Sequence, residues 1–415
     1  MRHRLSAAVM ACIAMYVILC APAPAAAKSR YEALLKSPAG REKLAALARM
    51  EEAGAVEAAA FEPLLADREP LIRARCAEVL GRIGNQSGIG YLVKLAGDPN
   101  TGVVTTAVYS LGLVGGASAI EPLKRALGEG RAAVKPYALE ALGKTGRKEA
   151  VPVIAPWLRN FNSSIRAQAA LALAFTGDSA AASELDAVIQ DPDPRVTACA
   201  AYAMGRLGYR GGVERLASLL AHGNAEVRFR AIEALARIKA DEAVPGIARL
   251  TTDPDRWVAV KAAEAIGRIG SKKGAPALAE LLASKDDYLR TLALTGLAVV
   301  GGGKQFEQIR RLHDDPSPMV RRAALGAAAA TGKDDARPYL LATAERGTPP
   351  QKSTALEVLG TLGNSEDLAL LVTALCSSSE PLAREGAAAG LGNWAKTGEL
   401  EHPCGYTDPT GRKLT

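Results

Sequence analysis

Val258-Ala259-Val260-Lys261-Ala262-Ala263-Glu264-Ala265-Ile266-Gly267-Arg268-Ile269-Gly270 reads as one amphipathic α-helix and its terminator. With Val258 as position zero, apolar residues at zero, four, eight and eleven mark one helical face. Gly270, at position twelve, is the residue expected to leave a helix through the left-handed region. The same pattern recurs without a gap at a period of 31 residues, starting at Ile72, Val103, Val134, Ile165, Val196, Val227, Val258, Leu289, Val320 and Gln351. An eleventh copy begins at Ala383, one residue out of register. Self-similarity over most of a chain means stacked units that bury their faces on one another rather than on a single core.

Position four is Ala in every copy except the first, which has Cys76. A small residue there is expected to let neighbouring helices approach closely, so Leu at Ala262 or Ala293 should overpack at a cost of about 1–3 kcal/mol. Gly closes most copies at position twelve, Gly84, Gly115, Gly146, Gly177, Gly208, Gly301, Gly332 and Gly363 among them. Asp98-Pro99, Asp191-Pro192, Asp253-Pro254 and Asp315-Pro316 precede the helices, and the Asp is expected to cap them with Pro in the first turn. A shorter helix follows each Gly, as in Pro276 to Ala283, and Pro152, Pro245, Pro276 and Pro338 should open it. The expected fold is therefore an all-α solenoid of about eleven helix pairs over residues 61–398, preceded by a capping helical segment at 28–60 and followed by an irregular tail at 399–415.

The pattern D-P-D-x-x-V-R-x-x-A-x-x-A-L-G-x-x-G, as it stands from Asp253 to Gly270, resembles the HEAT-repeat family in its short form, of the phycobilin-lyase-like type. That resemblance implies an α-solenoid whose second helices line a concave surface, and it says little about activity. It also implies a role for the basic residues at position one: Arg73, Lys135, Arg166, Arg228, Arg290, Arg321, Lys352 and Arg384. Relatives place Arg there to pair with the Asp of an adjacent turn, here Asp98, Asp191 or Asp253, and this reading is preferred to a ladder gripping an acidic partner.

The first 27 residues read as a secretory leader: Arg2 and Arg4, an apolar run from about Ala7 to Cys20, and Ala25-Ala26-Ala27 before Lys28. An uncleaved anchor over Leu5 to Ala27 and a lipoprotein signal at Cys20 are the weaker alternatives, the latter because Leu19 is not small. The expected location is periplasmic or secreted, with no membrane insertion once the leader is removed. Cleavage would lower the formal charge from +7 to +5, with acids and bases interspersed, so nucleic acid is not an expected partner. In an oxidising compartment Cys376 and Cys404 form a candidate disulfide that would hold the tail. Cys76 and Cys199 lie four repeats apart, too far to pair.

Chemistry is sparse. The histidines are His3, His222, His313 and His402, and no H-x-x-x-H, C-x-x-C or G-x-S-x-G occurs. No catalytic, metal-binding or cofactor residue is assigned. A lyase or hydrolase with a site assembled across repeats is the alternative. A phycobilin-lyase role conflicts with the leader, since that chemistry is cytoplasmic in the lyases.

Positions three, six and ten share the face opposite the apolar one. They carry self-paired charges in several copies: Arg75, Glu78 and Arg82; Arg230, Glu233 and Arg237; Lys261, Glu264 and Arg268. Copies two to five differ, with Tyr109 and Leu113, then Tyr137, then Leu171 and Phe175, then Tyr202. Aromatics make up 4% of the chain, so four on one stripe mark either a partner surface or bulk that fills gaps in the stack. A weaker apolar patch is expected at Leu292, Val299, Ala323 and Ala330. The expected work is that of a non-catalytic scaffold or adaptor in the cell envelope, holding a protein or peptide on this face, read as the concave one, with a self-associating envelope component as a further alternative.

Overall fold

The computed structural model describes residues 37–54, 57–301 and 303–396, and among them the chain is helical with no strand. It forms two compact units, Met1–Leu207 and Gly208–Thr415. In unit 1 the long helices are α1 (Gly40–Ala53), α2 (Pro70–Ile83), α3 (Thr101–Val114), α4 (Lys135–Lys144), α5 (Ser163–Phe175) and α6 (Pro194–Arg206). In unit 2 they are α7 (Ala225–Ile238), α8 (Arg256–Ile269), α9 (Asp287–Val300), α10 (Pro318–Arg346), α11 (Pro349–Leu362) and α12 (Pro381–Lys396). Within each unit every long helix packs on the next, and a shorter helix, such as Ile89–Ala96 or Ala275–Leu281, packs on the long helix that follows it.

Positions zero, four and eight are buried along the stack, as Val258, Ala262 and Ile266 show. The leading helix α1 buries Ala46, Leu47 and Met50 against α2 and keeps a polar opposite side. Apart from Gly332, the glycines at position twelve leave their helices with positive φ, from 63° at Gly146 to 82° at Gly301. In α7 the same place is taken by Lys239 at φ 55°, which strains a residue that carries a Cβ.

Two expectations are corrected and one is extended. Neighbouring long helices come into close backbone approach at positions nine and seven. A Cβ on Gly112 would lie 2.5 Å from the Cα of Ala141, and one on Gly143 would lie 2.5 Å from the carbonyl oxygen of Ala172. Position four is buried as well, and the approach marked by these glycines lies about a turn and a half further on.

The Asp of each Asp-Pro pair does not cap the helix. Capping falls to the residue two places on: Asn100, Asp193 and Asp255 accept the backbone N–H of Gly102, Arg195 and Trp257. Asp98, Asp191, Asp253 and Asp315 instead accept the N–H of that capping-position residue and turn toward an arginine.

Gly332 and Pro338 neither close nor open a helix, because α10 runs unbroken from Pro318 to Arg346 with Pro338 inside it. Gly permits a left-handed exit without compelling one. At the next position in four other repeats, Asn85, Asp178, Ser271 and Asn364 each turn the chain by accepting an N–H two residues on.

The arginine ladder is structural where it is complete. Arg73 donates to both carboxylate oxygens of Asp98, 2.6 and 2.9 Å, and to the carbonyl of Asp67. Arg166 does the same with Asp191 and Asn160, and Arg228 with Asp253 and His222. Each fork thus ties its own turn to the next one. Arg290 meets Asp315 through a single nitrogen at 2.8 Å, and its Nε is buried with no partner. Arg321 donates to the Asp315 and Pro316 carbonyls and Arg384 to that of Ser378, Lys352 pairs with Glu380, and Lys135 lies over the Trp157 ring. The Arg73 and Arg166 guanidiniums hold the Asp98 and Asp191 carboxyls below the usual aspartate range.

Candidate partner-binding face

The face at positions three, six and ten is built in unit 1 by four successive helices, α3 to α6. Each buries its positions zero, four and eight, which leaves the remaining side outward. Tyr137 is 44% exposed, Phe175 43% and Leu113 42%, while Tyr109, Leu171 and Tyr202 are half-buried. All six candidate residues therefore reach the surface of one unit on consecutive helices.

Cations lie over two of the rings. Lys144 Nζ sits 3.9 Å from the centre of the Tyr109 ring and 2.7 Å from Glu140. Burial pulls the Lys144 ammonium down, but Glu140 and the Tyr109 hydroxyl more than offset it, and its pKa is raised. The Arg206 guanidinium lies 4.5 Å from the Phe175 ring centre. These contacts join helices α3 to α4 and α5 to α6 across the stripe. Below the stripe, Arg75 and Arg82 share Glu51 of α1 and Glu78 of α2, a network in which the Arg82 hydrogen bond does most to lower the Glu51 pKa.

In unit 2 the same positions start as a neutralised surface. Arg230 pairs with Glu226 at 2.7 Å and Glu233 at 3.0 Å, Arg237 pairs with Glu233, and Lys261 pairs with Glu264. Further on, Val299 is 65% exposed, Ala330 is exposed, and Leu292 and Ala323 are half-buried.

The sequence reading missed position minus one. Trp257, Tyr288, Met319, Pro350 and Leu382 occupy it in successive repeats, and Trp257 is 66% and Met319 51% exposed. Positions minus one, three, six and ten follow one line along a helix, so this row extends the same face. It was legible as a run of large apolar residues at one register. Two cavities open along it, one of 570 Å³ beside Met319, Ala323 and Val358, the other of 440 Å³ beside Pro350 and Leu382.

The two histidines among the described residues hold turns. His222 Nδ1 accepts the Asn224 N–H, and His313 bridges the Arg310 carbonyl and Asp314. Among the described residues no group of three or more His, Cys, Asp or Glu could hold a metal ion, and no helix is long and apolar enough to cross a membrane. Burial pushes the Cys76 thiol well above its ordinary value. Cys376 is exposed, and Cys404 lies outside the described residues, as do the leader at 1–27 and the tail from 399.

Comparison with known proteins places this geometry in a recognised class. The family model for HEAT repeats matches residues 58–135, 126–205, 213–298 and 307–392. A search of curated proteins finds no match. Among solved structures, importin beta is similar with a TM-score of 0.62 at 12% identity, over 91% of this chain and 63% of that one. Kap95p, in its structure with RanGDP, gives 0.58 at 11% identity over 89% and 68%. The karyopherin Kap121p, bound to the extreme C-terminus of the protein phosphatase Cdc14p, gives 0.57 at 14% over 94% and 52%. The chain thus spans about half of Kap121p, and at these identities the likeness is one of fold.

Proposed function

Because the chain belongs to the HEAT-repeat family, we propose that it is a non-catalytic scaffold or adaptor that holds a protein or peptide on the face built by α3 to α6. One observation carries this reading: four consecutive helices turn Tyr, Phe and Leu outward where unit 2 begins with paired charges. Exposed apolar surface continued over several elements is a mark of recognition. A distant fold relative, Kap121p, holds the end of another protein's chain in its solved structure, which supports a peptide as the kind of occupant.

In this reading the protein works in the cell envelope or outside it, with residues 1–27 removed and Cys376 joined to Cys404. Mass spectrometry of the non-reduced, alkylated protein tests both points. A chain beginning at Lys28 with fewer alkylated thiols than cysteines is expected, and a leader still attached or every thiol alkylated would count against them.

Affinity capture from a native envelope extract tests the function, with the Tyr109/Tyr137/Tyr202→Ala variant run in parallel. A protein enriched by the wild type and lost with a folded variant is expected, since true anchors contribute about 2 kcal/mol or more each. Equal retention by both would remove the stripe from the binding role.

A further inference from the structure

Arg206 is the cation of the unit 1 face that has no carboxylate. At position ten the face alternates Arg82, Leu113, Lys144, Phe175 and Arg206. Arg82 is held by Glu78 and Glu51, and Lys144 by Glu140; Glu78 and Glu140 each stand at position six of the same helix as their cation. In α6 position six is Tyr202, so the carboxylate one turn back is missing.

The guanidinium is nevertheless held. Its Nε donates to the Ala174 carbonyl at 3.2 Å and its central carbon lies over the Phe175 ring, 4.5 Å from the ring centre. Those two contacts orient the group and leave both terminal nitrogens without a carboxylate among the described residues. A planar guanidinium with two free terminal nitrogens is shaped for a carboxylate taken by both at once. On the same outward stripe of α5 and α6 stand Phe175, exposed, and Leu171 and Tyr202, half-buried.

We propose that the occupant of this face is a peptide segment with an Asp or Glu side chain beside an apolar one. The carboxylate docks on the terminal nitrogens of Arg206, and the apolar neighbour lies against Phe175 and Leu171. Charge complementarity carries the assignment, because Arg206 is the one position-ten cation in unit 1 whose charge is not already matched within the described face. The inference rests on the partner-binding reading and adds the chemistry of the partner.

The test is selection from a random dodecapeptide library displayed with blocked C-termini against the whole purified chain. Selected peptides are then made with amidated C-termini, and their affinity is measured for the wild type, Arg206→Gln, Arg206→Lys and Tyr109/Tyr137/Tyr202→Ala. Selected peptides should carry an acid next to an apolar residue and lose about tenfold or more in affinity for Arg206→Gln, with a smaller loss for Arg206→Lys.

Changing the peptide's acid to its amide should cost the wild type that same factor and cost Arg206→Gln nearly nothing, which is the signature of a direct pair. Peptides without a preferred acid, or an amide penalty undiminished in Arg206→Gln, would overturn this inference while leaving the binding face intact. Failure to select any peptide, or equal binding by the triple tyrosine variant, would overturn both.

Discussion

The two units use one helix pattern for different surfaces. In unit 1 the outward positions of α3 to α6 hold large side chains beside cations, and the arginine forks of Arg73 and Arg166 close on both carboxylate oxygens. In unit 2 the same outward positions begin with paired charges and apolar residues take the start of the helices from α8 on, and although Arg228 still closes on both oxygens of Asp253, Arg290 closes on one oxygen only. The inward positions that set the stack scarcely change between them. A repeat therefore fixes its fold with its inward residues, and the outward ones can diverge from copy to copy.

The largest expected effect tests whether the forks differ as their geometry says. Asp98→Ala should cost about 3 kcal/mol, since it leaves Arg73 nine-tenths buried without its carboxylate. Asp315→Ala should cost less, because Arg290 already has a buried nitrogen with no partner. Urea unfolding of both variants checks this, and equal losses would break the distinction.

The acid response follows from the same forks. Asp98 and Asp191 have folded pKa values below their unfolded ones, through Arg73 and Arg166 respectively. The stability they contribute is present above about pH 4, where the unfolded carboxyl is ionised, and is lost as pH falls through the folded values. Asp98→Asn should flatten the fall in melting temperature between neutral and acid pH, and an unchanged acid limb would contradict it.

Helix crossings give the next contrast. Gly112→Ala should destabilise by about 2 kcal/mol, because its methyl would lie 2.5 Å from the Ala141 Cα. Gly267→Ala meets Gly296 Cα at 3.3 Å, and the helix preference for Ala, about 1 kcal/mol, should bring it close to neutral. Thermal melts of the pair decide whether the crossing of α3 with α4 is tighter than that of α8 with α9.

The period, the helix pair and the left-handed glycines were legible in the sequence, because each depends on residues fixed in register, and the arginine forks were implied by the family resemblance. What was not legible depends on how neighbours meet. Position nine looks like an ordinary outward glycine until the next helix crosses it. The caps moved two residues because Asp98 and Asp191 are drawn to arginines one repeat back. The outward stripe was found by its aromatics, whereas the row from Trp257 to Leu382 sits at the very start of each helix, outside the window counted from zero.

Two smaller effects sharpen the comparison further. Lys239→Gly should stabilise unit 2 by about 1 kcal/mol by relieving its φ of 55°, bringing that turn into line with the glycine exits of unit 1. A melting temperature that falls would mean that the lysine contributes something the backbone does not reveal. Ser110→Ala should change stability by about half a kcal/mol or less, or raise it, since the Ser110 hydroxyl is buried with no hydrogen-bond partner. Its counterpart at position seven of α9 is Gly296, which has no hydroxyl to bury.

The unbroken helix α10 has a mechanical meaning. Most repeats have a turn between their two helices where backbone can rotate under load. Residues Pro318 to Arg346 form instead a single strut about 43 Å long. A pull along the chain would open the glycine turns on either side of it first. The strut itself would give way at Pro338, where the ladder of helical hydrogen bonds lacks one donor. Stretched one molecule at a time, the chain should therefore lengthen in steps of one repeat elsewhere and in one larger step here.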